Sequence, residues 1–164
     1  MENVEKVDSP KIFLVDDEPY CLYLYEQVIR NLGYRNTQTF TKSGDCLNRL
    51  VEKPDIIFLD YNMDNLNGID ILKKIKRFDP DIAVFFISGQ DEISVAVNAL
   101  KYGAMDYIVK QDISEERMKL CMDKATMMRG IISGRKKFGF LKKIIAGISA
   151  PVSLFLIESL ISKN

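Results

Sequence analysis

The chain has 164 residues, of which 47% are hydrophobic and 28% charged, and its 23 basic side chains balance its 23 acidic ones, as expected for a soluble globular protein. It contains no histidine, which excludes a Ser-His-Asp triad, a Cys-His pair and imidazole metal sites. The three widely spaced cysteines without a CxxC pair, and the lack of a signal-peptide pattern, favour reduced thiols and a cytoplasmic location.

Short apolar runs alternate with longer amphipathic segments five times along the chain. The apolar runs predict strands at 11–16, 35–40, 55–60, 82–88 and 105–110. The segments that follow them predict helices at about 18–32, 43–52, 66–78, 91–102 and 113–129. Right-handed crossovers and short loops then favour an α/β fold, a doubly wound five-stranded parallel sheet with flavodoxin-like strand order 2-1-3-4-5.

Polar side chains close four of the predicted strands. Asp16 and Asp17 end the first strand, Asp60 the third, Ser88 the fourth and Lys110 the fifth. Ligands of such sheets bind beyond the carboxyl ends of the strands, so these side chains are expected to meet at one rim. Three converging carboxylates repel one another, and oxygen ligands suit a hard cation such as Mg²⁺ better than zinc or copper. A metal, a lysine and a hydroxyl around one carboxylate suit phosphoryl transfer, which makes Asp60 the candidate nucleophile.

Each of these residues also has a simpler structural interpretation. Asp17 could cap the helix that continues through Pro19, Asp60 could be a turn residue, and Lys110 could be a solvated charge. The functional interpretation is favoured because all of them fall at the same predicted edge of the sheet, which unrelated turns have no reason to produce.

Residues 10–129 resemble the receiver domain of bacterial two-component response regulators. The motifs that carry the resemblance are LVDDEP (14–19), IIFLDYNMDNLNGIDIL (56–72), FFISGQ (85–90) and ALKYGAMDYIVK (99–110). They occur in the family's order and at spacings similar to the family's.

The resemblance implies that Asp60 accepts a phosphoryl group from a phosphohistidine on a histidine kinase or a histidine phosphotransfer protein. It also implies a Mg²⁺ site, with Asp17 binding directly, Asp16 through water, Asp60 as a further ligand, and Asn62 through its backbone carbonyl. The protein would then catalyse only its own phosphorylation and dephosphorylation, without turning over a separate substrate.

Further roles follow from the same resemblance. Ser88 would donate a hydrogen bond to one phosphoryl oxygen, and Lys110 would pair with another. Tyr107 matches an aromatic residue that turns inward on phosphorylation and alters the face of helix 4, strand 5 and helix 5; an ordinary core role for Tyr107 is the alternative. Gln111 replaces the proline that usually follows the lysine, which leaves open whether the peptide bond before it is cis.

The C-terminal segment differs in composition from the rest. Residues 131–164 carry six Lys or Arg side chains and one acidic side chain, and Glu158 is the only charge within residues 144–161. This shift predicts a boundary between a receiver domain at 10–130 and a basic, then apolar, helical tail that is too short for a DNA-binding output domain. Packing on protein or self-association is favoured over membrane attachment, and nucleic-acid binding is favoured least.

Two functions of different classes remain. The favoured one is a phosphoacceptor that controls a partner or forms a homodimer, through the helix 4, strand 5 and helix 5 face or through the tail. The alternative is a receiver-like binding module that is never phosphorylated and is tethered to a protein or a membrane by its apolar tail. A dehalogenase-type phosphatase is disfavoured because position 62 is Asn, and a P-loop enzyme because GxxxxGK[ST] is absent from the sequence.

Overall fold

The computed structural model describes residues 9–63, 66–89 and 93–146, with the backbone alone at residues 66 and 135–146. The chain divides into two compact units, residues 1–125 and 126–164. Most of the apolar stretch predicted at 144–161 lies outside the described residues. Within the described part, no helix combines the length and the apolar character needed to cross a bilayer.

The first unit contains one five-stranded parallel sheet. Its strands are β1 (Ile12–Val15), β2 (Thr37–Phe40), β3 (Ile56–Asp60), β4 (Ala83–Ser88) and β5 (Asp106–Val109). They lie side by side in the order β2-β1-β3-β4-β5, which confirms the predicted fold and strand order. All residues of β1, β3 and β4 are buried, as expected for strands of a parallel sheet that is covered on both faces.

Helices follow the strands in alternation. They are α1 (Pro19–Asn31), α2 (Ser43–Arg49), α3 (Gly68–Phe78), α4 (Ile93–Lys101) and α5 (Glu115–Ala146). The prediction that the fifth helix ends at 129 is wrong, because α5 continues to Ala146. The shift in composition predicted a boundary at residue 130, but Gly130 and Gly134 lie inside the helix, because a glycine there costs only about 1 kcal/mol relative to alanine, which flanking turns can outweigh.

The core has two layers, one on each face of the sheet. Successive strand side chains point to opposite faces, so Phe13 and Val15 belong to one layer and Ile12 and Leu14 to the other. The first layer includes buried side chains of α2, α3 and α4. The second includes Leu22, Tyr25 and Ile29 of α1, together with Met118, Cys121, Met122 and Ala125. Both faces of the sheet are therefore covered, and ligands of such sheets bind beyond the carboxyl ends of the strands.

Candidate functional site

Three carboxylates meet at the carboxyl ends of β1 and β3. One oxygen from each of Asp16, Asp17 and Asp60 lies within 4.8 Å of the other two. The register explains this, because Val15 of β1 pairs with Leu59 of β3 and the following residues emerge side by side. Asp16 and Asp60 are 0% and 1% exposed, whereas Asp17 is exposed. The interpretation of Asp17 as a helix cap is wrong, since the capping position of α1 is Glu18, whose side chain makes no capping hydrogen bond.

Lys110 brings a positive charge into this acidic cluster. It follows β5, and its Nζ atom lies 2.9 Å from Asp16 Oδ2, 3.2 Å from Asp60 Oδ1 and 3.2 Å from Glu18 Oε1. Burial lowers the pKa of Lys110, but the hydrogen bond to Asp16 and the charge of Asp60 outweigh burial and raise it above the ordinary value. The ammonium group therefore stays charged at neutral pH and offsets part of the repulsion among the carboxylates.

Asp60 combines one occupied oxygen with one that lacks a hydrogen bond. Its Oδ2 accepts the backbone N–H of Asn62 at 3.0 Å. Its Oδ1 is buried and accepts no hydrogen bond from the described residues, although the ammonium group of Lys110 lies 3.2 Å away as an ion pair. Burial and the charge of Asp16 raise the pKa of Asp60 to about 6, whereas the charge of Lys110 lowers it. Asp60 is thus a costly buried anion that favours a further cation.

Asp16 is held on both of its oxygens. Its Oδ1 accepts the backbone N–H of Glu18 at 2.9 Å, and its Oδ2 accepts the hydroxyl of Tyr25 at 3.0 Å in addition to the contact with Lys110. These contacts fix a carboxylate that is 0% exposed.

Sequence reasoning missed Glu18 and Tyr25 as members of the site. Tyr25 lies between Leu22 and Ile29 on the buried stripe of α1, a spacing that indicates an inward-facing ring. A tyrosine on such a stripe usually has a partner for its hydroxyl, which was the available signal. Glu18 carried no such signal, because its contact joins positions 92 residues apart.

The remaining predicted residues lie at or near the same rim. Ser88 closes β4 and is 0% exposed, and the residue before it pairs with Asp60. Tyr107 lies in β5, where its half-buried ring packs against the core. Asn62 has an exposed side chain and begins a two-stranded antiparallel ribbon with Leu66–Asn67. The peptide bond between Lys110 and residue 111 is trans.

Comparison with known proteins identifies the family. The family described as response regulator receiver domain matches residues 12–121. The chain belongs to the response regulator receiver family. This receiver domain is of the type found in two-component systems, which confirms the resemblance.

The receiver is similar to several proteins over most of this domain. Chemotaxis protein CheY of Thermotoga maritima is 31% identical over 101 residues, which are 61% of this chain and 84% of that protein. Transcriptional regulatory protein CssR of Bacillus subtilis is 34% identical over 66% of this chain, and the match spans only 48% of the regulator. The crystal structure of a receiver domain from Clostridium thermocellum superposes with a TM-score of 0.70 at 25% identity, over 75% of this chain and 98% of the other.

The acidic rim of this receiver fits a hard divalent cation. Receiver domains bind Mg²⁺ at an acidic pocket, and this rim offers carboxylate oxygens without any imidazole. The buried Oδ1 of Asp60, which accepts no hydrogen bond from the described residues, has unused capacity for a ligand of this kind. Mg²⁺ usually binds through one or two carboxylates and keeps several waters. This suits a cluster in which Asp17 is exposed to solvent and Asp16 and Asp60 are buried.

Proposed function

We propose that this receiver takes a phosphoryl group onto Asp60 from the phosphohistidine of a histidine kinase or a histidine phosphotransfer protein, in a reaction that requires Mg²⁺. The observation that supports this most directly is the buried carboxylate of Asp60, which lies beside a lysine and two further carboxylates and whose Oδ1 accepts no hydrogen bond from the described residues. Lys110 offsets only part of the cost of this buried anion, so a further cation or an electrophile would stabilise it.

The chain's own groups divide the work of the transfer. Asp60 supplies the oxygen that forms a bond to phosphorus while the bond from phosphorus to the donor nitrogen breaks. Lys110 pairs with a phosphoryl oxygen, and its raised pKa keeps it charged during the step. Asp16, Asp17, Asp60 and the backbone carbonyl of Asn62 are the proposed metal ligands. Mg²⁺, when bound, neutralises charge on the phosphoryl oxygens so that one anion can approach another.

Ser88 is the proposed hydroxyl donor to the phosphoryl group, with Tyr107 as the residue that responds. Ser88→Ala is expected to slow labelling by acetyl phosphate about tenfold, the value of one hydrogen bond to a charged group. Ser43→Ala is the matched control, because Ser43 is also a buried serine but lies at the start of α2. Equal rates in wild type and Ser88→Ala would contradict the role of Ser88.

Labelling by acetyl phosphate tests the proposed function itself. The full chain is expected to gain one phosphoryl group when Mg²⁺ is present and none when EDTA removes it, as measured by intact-protein mass spectrometry. Asp60→Asn is expected to lose labelling under both conditions, because the amide is not a nucleophile of this kind. A wild-type chain that stays unlabelled supports the alternative of a receiver-like binding module, whereas a labelled Asp60→Asn variant would mean that a residue other than Asp60 takes the phosphoryl group.

The output of the switch is a proposal of the same kind. We propose a receiver at 10–130 and a tail at 131–164 in a cytoplasmic protein. Phosphorylation alters the face formed by α4, β5 and α5, and this change controls binding to a protein partner or formation of a homodimer. Light scattering of the full chain before and after labelling is expected to show a change of mass if self-association is the output. An unchanged monomer mass at high concentration in both states would leave a separate protein partner as the output.

A further inference from the structure

Tyr25 joins the helical layer to the metal-binding rim. Its ring is part of the apolar core between α1 and the sheet, and the side chain is only 2% exposed. Its hydroxyl reaches out of this core and donates to Asp16 Oδ2 at 3.0 Å. The core thus fixes the ring, and the ring fixes the hydroxyl, so the donor has little freedom to leave its acceptor.

The hydrogen bond from Tyr25 limits which acceptor positions of the Asp16 carboxylate are available to other groups. A carboxylate has about four acceptor positions, two on each oxygen. The hydroxyl of Tyr25 and the ammonium group of Lys110 occupy Oδ2, and the backbone N–H of Glu18 occupies one position on Oδ1. Among the residues that the structure describes, these contacts leave Asp16 a single acceptor position, on Oδ1.

We propose that Tyr25 is a positioning residue that orients the carboxylate of Asp16 toward the bound metal and so sets the Mg²⁺ affinity of this receiver. The inference rests on the proposed function, because it concerns the metal site at Asp60. With Oδ2 already occupied, Asp16 would contribute to the metal site through its remaining acceptor position on Oδ1, which suits a hydrogen bond from water. Groups that hold a metal-binding side chain in this way contribute strongly to affinity.

Tyr25→Phe removes the donor and keeps the ring that fills the core. Without the donor, the carboxylate of Asp16 can rotate about its last bond, and the loss of orientation is expected to weaken Mg²⁺ binding about tenfold. Tyr23→Phe is the matched control, since Tyr23 lies on the same helix with its ring 59% exposed, and it is expected to bind Mg²⁺ as the wild type does.

Two readouts separate positioning from a merely structural effect. Calorimetry without any phosphodonor gives the dissociation constant for Mg²⁺, with the melting temperature in EDTA as the check that each variant is folded. In acetyl phosphate labelling, Tyr25→Phe is expected to need about ten times more Mg²⁺ for half-maximal rate, while its rate at saturating Mg²⁺ stays within about twofold of wild type. A general distortion of the site would lower the saturating rate as well and would overturn the proposal.

A measurement on the wild-type chain keeps the proposal testable if Tyr25→Phe is unfolded. In protein labelled with isotopic tyrosine, the hydroxyl-bearing ring carbon of Tyr25 is expected to shift during a Mg²⁺ titration with the dissociation constant found by calorimetry, whereas that of Tyr23 stays in place. This inference alone would be overturned if the Tyr25 signal did not shift with Mg²⁺, or if wild type and Tyr25→Phe bound Mg²⁺ with equal affinity. A wild-type chain that binds no Mg²⁺ would overturn the proposed metal-dependent function together with it.

Discussion

Replacing Lys110 with methionine is expected to slow the proposed phosphorylation of Asp60 about 100-fold, as for the loss of one fixed charge-stabilising donor. The same change is expected to lower the free energy of unfolding of the metal-free protein by about 2 kcal/mol, because buried Asp16 and Asp60 lose their shared cation. The value lies below that for a fully buried pair since the Lys110 side chain is 19% exposed to solvent.

The loss of stability in Lys110→Met is expected to be smaller at low pH than at neutral pH. Without the ammonium group, the pKa of Asp60 rises further above about 6. Near pH 5 the carboxyl group of Asp60 is protonated and neutral, so the absence of the Lys110 charge costs less free energy. The loss of stability is therefore expected to be smaller there than at about pH 7.5. Urea unfolding in EDTA at the two pH values measures the difference.

Lys119→Met is the matched control for Lys110→Met. Lys119 pairs with Asp123 on the surface of α5, with a side chain that is 63% exposed, so its loss is expected to change stability and labelling little. If Lys110→Met is as stable as Lys119→Met and is labelled at the same rate, the role given to the buried ion pair is wrong.

Asp60→Asn is expected to stabilise the metal-free protein even though it removes the proposed phosphorylation site. Burial and the charge of Asp16 raise the pKa of Asp60 to about 6, so ionising this side chain costs free energy in the folded state. Each pKa unit above the ordinary value near 4 corresponds to about 1.4 kcal/mol, and the neutral amide avoids roughly 2 to 3 kcal/mol of this cost at neutral pH.

The advantage of Asp60→Asn is expected to depend on pH in the direction set by the raised pKa. As the pH falls, Asp60 binds a proton at a higher pH in the native protein than in the unfolded chain. The wild type therefore gains free energy of unfolding from this group as the pH falls from about 6 toward about 4. The difference between variant and wild type is therefore full above about pH 7 and falls below about 1 kcal/mol near pH 4. Saturating Mg²⁺ is expected to reduce the difference in stability between Asp60→Asn and wild type, because the bound ion stabilises wild type.

Asp70→Asn controls for the loss of any one aspartate. Asp70 lies in the first turn of α3 with a side chain that is 60% exposed, and its loss is expected to leave the stability nearly unchanged at each pH. Urea unfolding of both variants in EDTA makes the comparison. A lower stability of Asp60→Asn than of wild type at neutral pH would mean that the native carboxylate is stabilised, contrary to its burial.

The amino-acid sequence alone was sufficient to predict the fold and the residues that end the strands at the rim, but not Glu18 or Tyr25. Apolar runs such as Ile56–Leu59 have few alternatives to a strand covered on both faces, and chirality restricts how such strands are connected. Because parallel strands end at one edge, the order of the chain also predicted that Asp16, Asp17, Asp60 and Lys110 would lie near one another, as they do.

The tertiary structure decided which atoms of the rim are in contact. Strand order places residues at an edge, but a hydrogen bond depends on ångström-scale packing between distant segments, as in the contact of Tyr25 with Asp16 across the interface of α1 and the sheet. The same packing determined that Oδ1 of Asp60 is buried and accepts no hydrogen bond from the described residues, and that Lys110 reaches Glu18. Sequence periodicity reports the face on which a side chain lies, whereas the partner of its polar tip depends on how the layers pack together.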